Sequence, residues 1–577
     1  MILAAALLSA ASAAAQPALQ ENPKMEGVFS CTVPPAGNPG PMDFTRCDFL
    51  IYPDGKISLE QAQDLLSEIG FGEEPLAGYT RGITVINPVG EKYDAEKDFE
   101  RYVAVFNSRF MHTNLKIIAL GSGATFVNSV VAPGAEAVAG IVSIDGKAPS
   151  RMPSGSMVPA YVAGKNQAKV LKEYVALNKA GKVGNQGGAV LYRNPDEPLA
   201  AVAAGDPAKK DLKSMMAEAW DLILGRNYRL SNWGHTSYMG DSYGRYPFEL
   251  EEVLVPEFFG MTKKVVEDSL VMRKGSYLWF EYYNDAVADA PEKSIPLVVL
   301  LHGNGNDPRT QAATSGFVQL ASRENFMVIE LEWQGTNGKN EWMGLDGIEL
   351  TINTVLARYP QLDPSRIYAE GLSAGGFCCH ALGVHKSYIF AAVGSHSGGV
   401  LGEKANEGML YSAGINQASL FGDAAQKRGH VTMPIIAVSG TVDIAVPHPS
   451  HMDISDQYEG YPLPVDPEEL VIKAPEQSEA WLGWQLYRLL NGADRLESFD
   501  TSVDPIFGQK LDSRTCETVK GYNVHSGDVL VGGIPVLRLV GVENHGHWNF
   551  VPAAAMMWEY WKHFRRDPST RELIYTE

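Results

Sequence analysis

A chain of 577 residues is too long for one ordinary core, and its length predicts two to four domains. With 45% hydrophobic and 20% charged residues, the composition excludes wholesale disorder. The formal net charge of −20, with no long Lys/Arg run, excludes a nucleic-acid partner.

The chain opens MILAAALLSAASAAAQ, an apolar run that passes into small residues, and Ala13-Ala14-Ala15 before Gln16 offers a small-x-small cleavage site. A signal peptide over 1–15 is therefore expected, with a secreted or periplasmic product. No other stretch approaches the roughly 20 apolar residues of a membrane span, so no membrane association is expected after cleavage. In an oxidising compartment the five cysteines should pair. Cys31 with Cys47 is one expectation and Cys516 with Cys378 or Cys379 another, which leaves one thiol over. No Cys-x-x-Cys or His-x-x-x-His spacing appears, and no metal site is expected.

Residues 22–240 read as a first domain. Gly82 to Ile86 predicts a strand, and a charged helix follows from about Ala95 to Ser108. Leu115 to Leu120, Ala137 to Ile144 and Val158 to Ala163 predict further strands. Residues 241–275, which include PFELEEVLVPEFFG, are the expected connection.

Residues 276–577 read as a second domain with the same rhythm. Its apolar runs are Pro296 to Leu301, Phe326 to Leu331, Arg366 to Ala369, Ala391 to Ser395, Pro434 to Ser439 and Val536 to Val540. Between the second and third, Ile348, Ile352, Val355, Leu356 and Tyr359 fall on one helical face, which Pro360 ends. A last helix is expected from Ala553 to Phe564. Strands separated by helices predict an α/β fold, a mostly parallel sheet with helices on both faces. Ligands bind such sheets at the carboxyl ends of the strands. The matching order of elements in the two halves predicts an internal duplication.

Four signals in the second half follow strands. Gly371-Leu372-Ser373-Ala374-Gly375 is a Gly-x-Ser-x-Gly elbow, in which a serine sits on a tight strand-to-helix turn and glycines let strand and helix approach. His302-Gly303-Asn304-Gly305-Asn306-Asp307 is placed to supply a backbone N–H from Asn304 which, with that of Ala374, would form an oxyanion hole. A plain turn has the same composition. Asp443, in SGTVDIAVP, is placed to orient an imidazole. Asn544-His545-Gly546-His547-Trp548 offers two candidate bases. His547 is favoured because it adjoins Trp548, and His545 is the alternative. His380, His385 and His396 are expected to be structural.

These four segments, LLHGNGND, EGLSAGG, SGTVDIAVP and ENHGHWNF, resemble those of the poly(3-hydroxybutyrate) depolymerase and feruloyl esterase group of secreted α/β-hydrolases, over roughly Ser276 to Arg566. The resemblance implies an α/β-hydrolase fold and ester hydrolysis without a cofactor. Two histidines in the base turn depart from the group's pattern, and residues 449–520 are long for it and are expected to form a lid or pocket wall. Trp333, Trp342 and Trp548 are candidates to bind a substrate, with a core role as the alternative.

The first half resembles the same fold with its chemistry eroded. Aligned on Gly121, the nucleophile position falls on Gly123, with Ser122 as the shifted alternative. Asn166 stands in the acid loop, and His235 lacks partners. The expected activity is hydrolysis of a carboxylic ester through an acyl-enzyme, on a polyester or on a feruloyl or acetyl ester of plant polysaccharide, with the ester substrate as the expected partner. A serine peptidase of the same fold, or a polymer-binding protein with a vestigial triad, are the rival readings.

Overall fold

The computed structural model describes residues 17–33, 46–107, 114–134, 138–149, 157–195, 200–227, 261–268, 276–304, 308–335, 341–401, 417, 419–443, 445–452 and 474–577. The expected signal peptide and His235 lie outside them. The described residues fall mainly into two compact units, the first within residues 17–227 and the second within residues 261–577.

The second unit is built on a ten-stranded sheet. Its strands are β11 (Met261–Asp268), β12 (Tyr277–Asn284), β13 (Ile295–Leu301), β14 (Met327–Leu331), β15 (Leu362–Leu372), β16 (Ala392–His396), β17 (Ile435–Gly440), β18 (Ser513–Val519), β19 (Tyr522–Val531) and β20 (Ile534–Val542). They lie in the order 11-12-14-13-15-16-17-20-19-18. The run from β14 to β20 is parallel, and antiparallel strands extend it at both ends. Every residue of β13 (IPLVVLL) is buried because both faces of the sheet are covered. Leu297, Val299 and Leu301 enter a core with Ile348, Ile352 and Val355 of the helix Gly344–Arg358, Phe377 of Ala374–His385, and Trp481 and Trp484 of Glu479–Leu490. Val298 and Leu300 enter the opposite core, with Phe317 and Ala321 of Phe317–Glu324 and Met557, Trp558 and Trp561 of Ala553–Trp561. This helix–sheet–helix layering on this strand order is the α/β-hydrolase fold.

The first unit repeats the pattern. Its strands are β1 (Gln20–Glu21), β2 (Val28–Thr32), β3 (Cys47–Tyr52), β4 (Thr80–Ile86), β5 (Leu115–Leu120), β6 (Val138–Ile144), β7 (Ala160–Ala163), β8 (Gly181–Gln186), β9 (Ala189–Arg193) and β10 (Ala201–Ala204). Their order is 1-2-4-3-5-6-7-10-9-8, the same permutation displaced by ten. The sense of every pairing matches as well, including the antiparallel β8–β9 hairpin that flanks β10 as β18–β19 flanks β20. Both units therefore carry the α/β-hydrolase topology.

Two expectations need correction. All five cysteines are free. Cys31 in β2 and Cys47 in β3 lie on opposite sides of β4. Two strand spacings, about 9.6 Å, exceed the Cα separation of a disulfide. Cys378 and Cys379 are buried in a core helix, whereas Cys516 is exposed on the edge strand β18. In the 449–520 segment, the helix Glu479–Leu490 is a core helix rather than a lid, because Trp481, Trp484, Tyr487 and Leu490 are buried against the sheet. Among the described residues no helix is long and apolar enough to cross a membrane.

Candidate active site

Ser373 joins β15 to the helix Ala374–His385 with φ 54° and ψ −119°. A non-glycine residue at positive φ is strained, and the surrounding packing holds it there. The Ser373 N–H donates to His396 O of the neighbouring strand at 2.9 Å, and its carbonyl accepts the helix bond from Phe377 N at 2.9 Å. Glycine is needed on either side. A Cβ on Gly371 would come within 2.8 Å of Gly375 Cα, and one on Gly375 within 2.7 Å of the Leu301 carbonyl carbon. The N–H of Ala374 opens the helix, where the first-turn donors have no intrahelical partner and favour negative charge.

Asp443 follows β17 and has no solvent exposure. Its Oδ1 accepts the N–H groups of Ala445 at 2.9 Å and Val446 at 2.8 Å. Both carboxylate oxygens also face His547 Nδ1, at 3.0 and 2.9 Å. With Nδ1 on Asp443, Nε2 is left on the other edge of the ring. The acid and base loops are laced together: Val442 N donates to His545 O at 3.2 Å and Asn544 N to Thr441 Oγ1 at 2.9 Å. His545 takes another place. Its ring packs edge-on against Tyr522 and Phe550, its Nδ1 donates to Gly546 O at 3.0 Å, and burial pushes its pKa down to about 4.

Asn304 lies half-buried in the turn that leaves β13, and residues 305–307 of the same loop are outside the described residues. The turn is braced from the carboxyl end of β14: Trp333 Nε1 donates to His302 O at 3.1 Å and Gln334 Nε2 to Gly303 O at 3.2 Å. Trp333 is 0% exposed, so it presents no surface to a substrate and instead holds this loop. Trp342 is 45% exposed, beside the helix Gly344–Arg358, and Trp548 is buried next to His547.

Superimposing the strand registers locates the same positions in the first unit. Ala119 pairs with Tyr52 and Ser143 as Gly371 pairs with Leu301 and Ser395. Gly121 therefore stands where Ser373 stands, with φ 52°, and Gly123 matches Gly375: a Cβ there would lie 2.6 Å from Tyr52 O. The expectation that Gly123 holds the nucleophile position is corrected to Gly121, because the turn begins two residues earlier than the glycine spacing suggests. The N–H of Ser122, the counterpart of Ala374, donates to Asp54 Oδ1 at 2.8 Å. A carboxylate of the chain itself thus takes the donor that an oxyanion would need, and any side chain at 121 would collide with it. Asn166 only precedes the helix Gln167–Leu177, and its side chain caps nothing.

Sequence reasoning missed Asp54, and also a buried polar set near Ser373: Glu370, Gln311 and Asn549. Glu370 left only a faint signal, a charged residue directly after the expected strand Arg366 to Ala369, and the structure extends that strand over it as β15. Gln311 and Asn549 left none.

No curated protein matches the chain. Solved structures that resemble it include an acetyl xylan esterase from Aspergillus awamori, 14% identical, covering 52% of this chain and 99% of that one with a TM-score of 0.34. An S-formylglutathione hydrolase from Agrobacterium tumefaciens is 12% identical, covering 53% and 96% with a TM-score of 0.33. Est1E from Butyrivibrio proteoclasticus is 15% identical, covering 34% and 86% with a TM-score of 0.24. Residues 280–461, which hold Ser373 and Asp443 but not His547, match the family model described as Esterase PHB depolymerase. The second unit thus has the α/β-hydrolase fold, and its residues 280–461 are similar to the esterases described by that model.

Proposed function

We propose that the second unit is a serine hydrolase of carboxylic esters, with Ser373 as nucleophile, His547 as base and Asp443 behind the base. The observation that carries this reading is the Asp443–His547 pair, formed by loops that follow β17 and β20 of the sheet whose β15 ends on the strained Ser373. Ser373 Oγ attacks the ester carbonyl while His547 Nε2 accepts its proton. The tetrahedral oxyanion rests on the N–H groups of Ala374 and Asn304, and Asp443 stabilises the imidazolium. The alcohol leaves with the proton from His547. Water, deprotonated by the same nitrogen, then releases the acid and restores Ser373.

The family match supports an ester of a hydroxyacid polymer as the substrate class, and feruloyl and acetyl esters of plant polysaccharide are the other acyl groups to compare. The leader-like first residues support a secreted or periplasmic protein acting on such substrates outside the cytoplasm. The first unit is read as a non-catalytic repeat, since Gly121 replaces the serine and Asp54 occupies the oxyanion donor. The test is turnover of a chromogenic acyl ester, then of feruloyl, acetyl and 3-hydroxybutyrate esters. Ser373→Ala should lower kcat by about 10⁴-fold or more. Near-normal turnover by that variant would refute the assignment.

A further inference from the structure

Outside Ser373, Asp443 and His547, four buried polar side chains form one hydrogen-bonded string. Glu370 lies in β15, three residues before Ser373. Gln311 and Thr314 lie in the helix Pro308–Thr314, which follows the loop begun at His302. Asn549 lies two residues past His547. Gln311 Nε2 donates to Glu370 Oε2 at 2.8 Å. Asn549 Nδ2 donates to Gln311 Oε1 at 3.0 Å and to Thr314 Oγ1 at 2.9 Å. One residue further, Phe550 N donates to His396 Nε2 at 3.1 Å. The segment 547–550 is therefore tied at three points, by Asp443, by the Gln311 helix and by β16.

Polar groups are a costly way to fill this space. Their neighbours on the same face of β15, Tyr368 and Leu372, pack into the apolar core, and apolar residues would serve stability there at least as well. Burial pushes the Glu370 carboxyl up to about 8, so that it stays largely neutral at pH 7 and glutamine is its close mimic. Hydrogen bonds add what apolar packing lacks, a fixed distance and direction between elements. The elements joined are the strand that ends on Ser373, the helix behind the Asn304 loop and the turn that carries His547.

We propose that Glu370, Gln311 and Asn549 are positioning residues that hold the His547 turn in register with Ser373. The proposal rests on the reading of Ser373 and His547 given above. Its test is steady-state turnover of a soluble chromogenic ester by the full chain, normalised to active sites titrated with a serine-reactive phosphonate. Asn549→Ala and Glu370→Leu should lower kcat by about 10- to 100-fold with KM little changed, the signature of misplaced groups rather than lost binding. Glu370→Gln should restore kcat to near the parent value, because it still offers an oxygen to Gln311. Thr314→Val, which keeps side-chain shape and removes one acceptor, should cost a few-fold, and it carries the test if Asn549→Ala fails to fold. Parent-like kcat per titrated site in Thr314→Val and Glu370→Leu, with Ser373→Ala inactive, would overturn the positioning role and leave the nucleophile standing. An active Ser373→Ala would overturn the reading on which the proposal rests.

Discussion

Gly375→Ala tests the elbow with a single methyl group. Built on the backbone, the new Cβ lies 2.7 Å from the Leu301 carbonyl carbon and 3.0 Å from His302 O. Ordinary contact begins near 3.4 Å, so clearing the Leu301 carbonyl carbon alone takes about 0.7 Å, and the Leu301 carbonyl oxygen, which lies closer still, makes β13 and the helix Ala374–His385 part by more than that. The neighbouring atoms are backbone in the middle of a sheet, and no side chain is available to swing aside. Overpacking of this kind costs about 1–3 kcal/mol. Ser373 lies two residues away on the same turn, and its displacement by about 1 Å would cost on the order of 100-fold in rate. Gly123→Ala supplies the control: its Cβ meets Tyr52 O at 2.6 Å and the Tyr52 carbonyl carbon at 2.8 Å, the same collision in the repeat. Urea unfolding followed by tryptophan fluorescence, together with ester turnover, separates the two effects. Gly375→Ala should lose both stability and rate, whereas Gly123→Ala should lose stability and keep the rate. Full activity in Gly375→Ala, or inactivity in a folded Gly123→Ala, would show that the elbow glycine does not set the position of Ser373.

His547→Ala should cost about 10⁴-fold in kcat, while His545→Ala should keep most of it and unfold more easily because Tyr522 and Phe550 lose a packed ring; kinetics and urea titration of both variants check the ranking. Ser122→Ala should turn over ester at the parent rate, since its counterpart site lacks a nucleophile, and a large loss would contradict the alignment of the repeats. Glu370 has its folded pKa raised to about 8, above the roughly 4.3 of an unfolded glutamate. Its contribution to stability is therefore complete below about pH 4 and is lost as pH rises through 8. Glu370→Gln lacks that slope, so its stability relative to the parent should grow between pH 5 and 8 in urea titrations. His380 and His448 run the other way. Burial lowers both to about 3, so their contribution holds above the unfolded value near 6.5 and is lost as pH falls toward 3. His448→Phe should flatten the acid limb of the stability profile.

The second sheet was legible where strands are buried on both faces. PLVVLL and its counterparts have no other use for so many consecutive apolar residues, and the expected runs fall on β13, β14, β15, β16, β17 and β20 within a few residues. The β18–β19 hairpin was not legible: β18 reads SRTCETV and is almost wholly exposed, so no apolar pattern marks it. Its turn at Lys520 and Gly521, with φ of 51° and 85°, needs only two residues. The candidate site was legible because each residue sits in a short motif directly after a strand. The choice between His545 and His547 was not settled by the sequence, because it depends on which ring meets Asp443, which stands 104 positions before His547 in the chain. In the first unit the glycine spacing misled. Gly-Ser-Gly invites alignment on its outer glycines, but the positive φ and the collision with β3 fix the register two residues earlier. Asp54 was invisible for the same reason as Asn549, since both act through contacts made only in three dimensions.

The most direct measurement is to treat the intact protein with a fluorophosphonate and locate the adduct by peptide mass spectrometry. One adduct is expected, on Ser373, with ester turnover falling in proportion to labelling. An adduct on Ser122, or complete inactivation with Ser373 unmodified, would rule out Ser373 as the nucleophile.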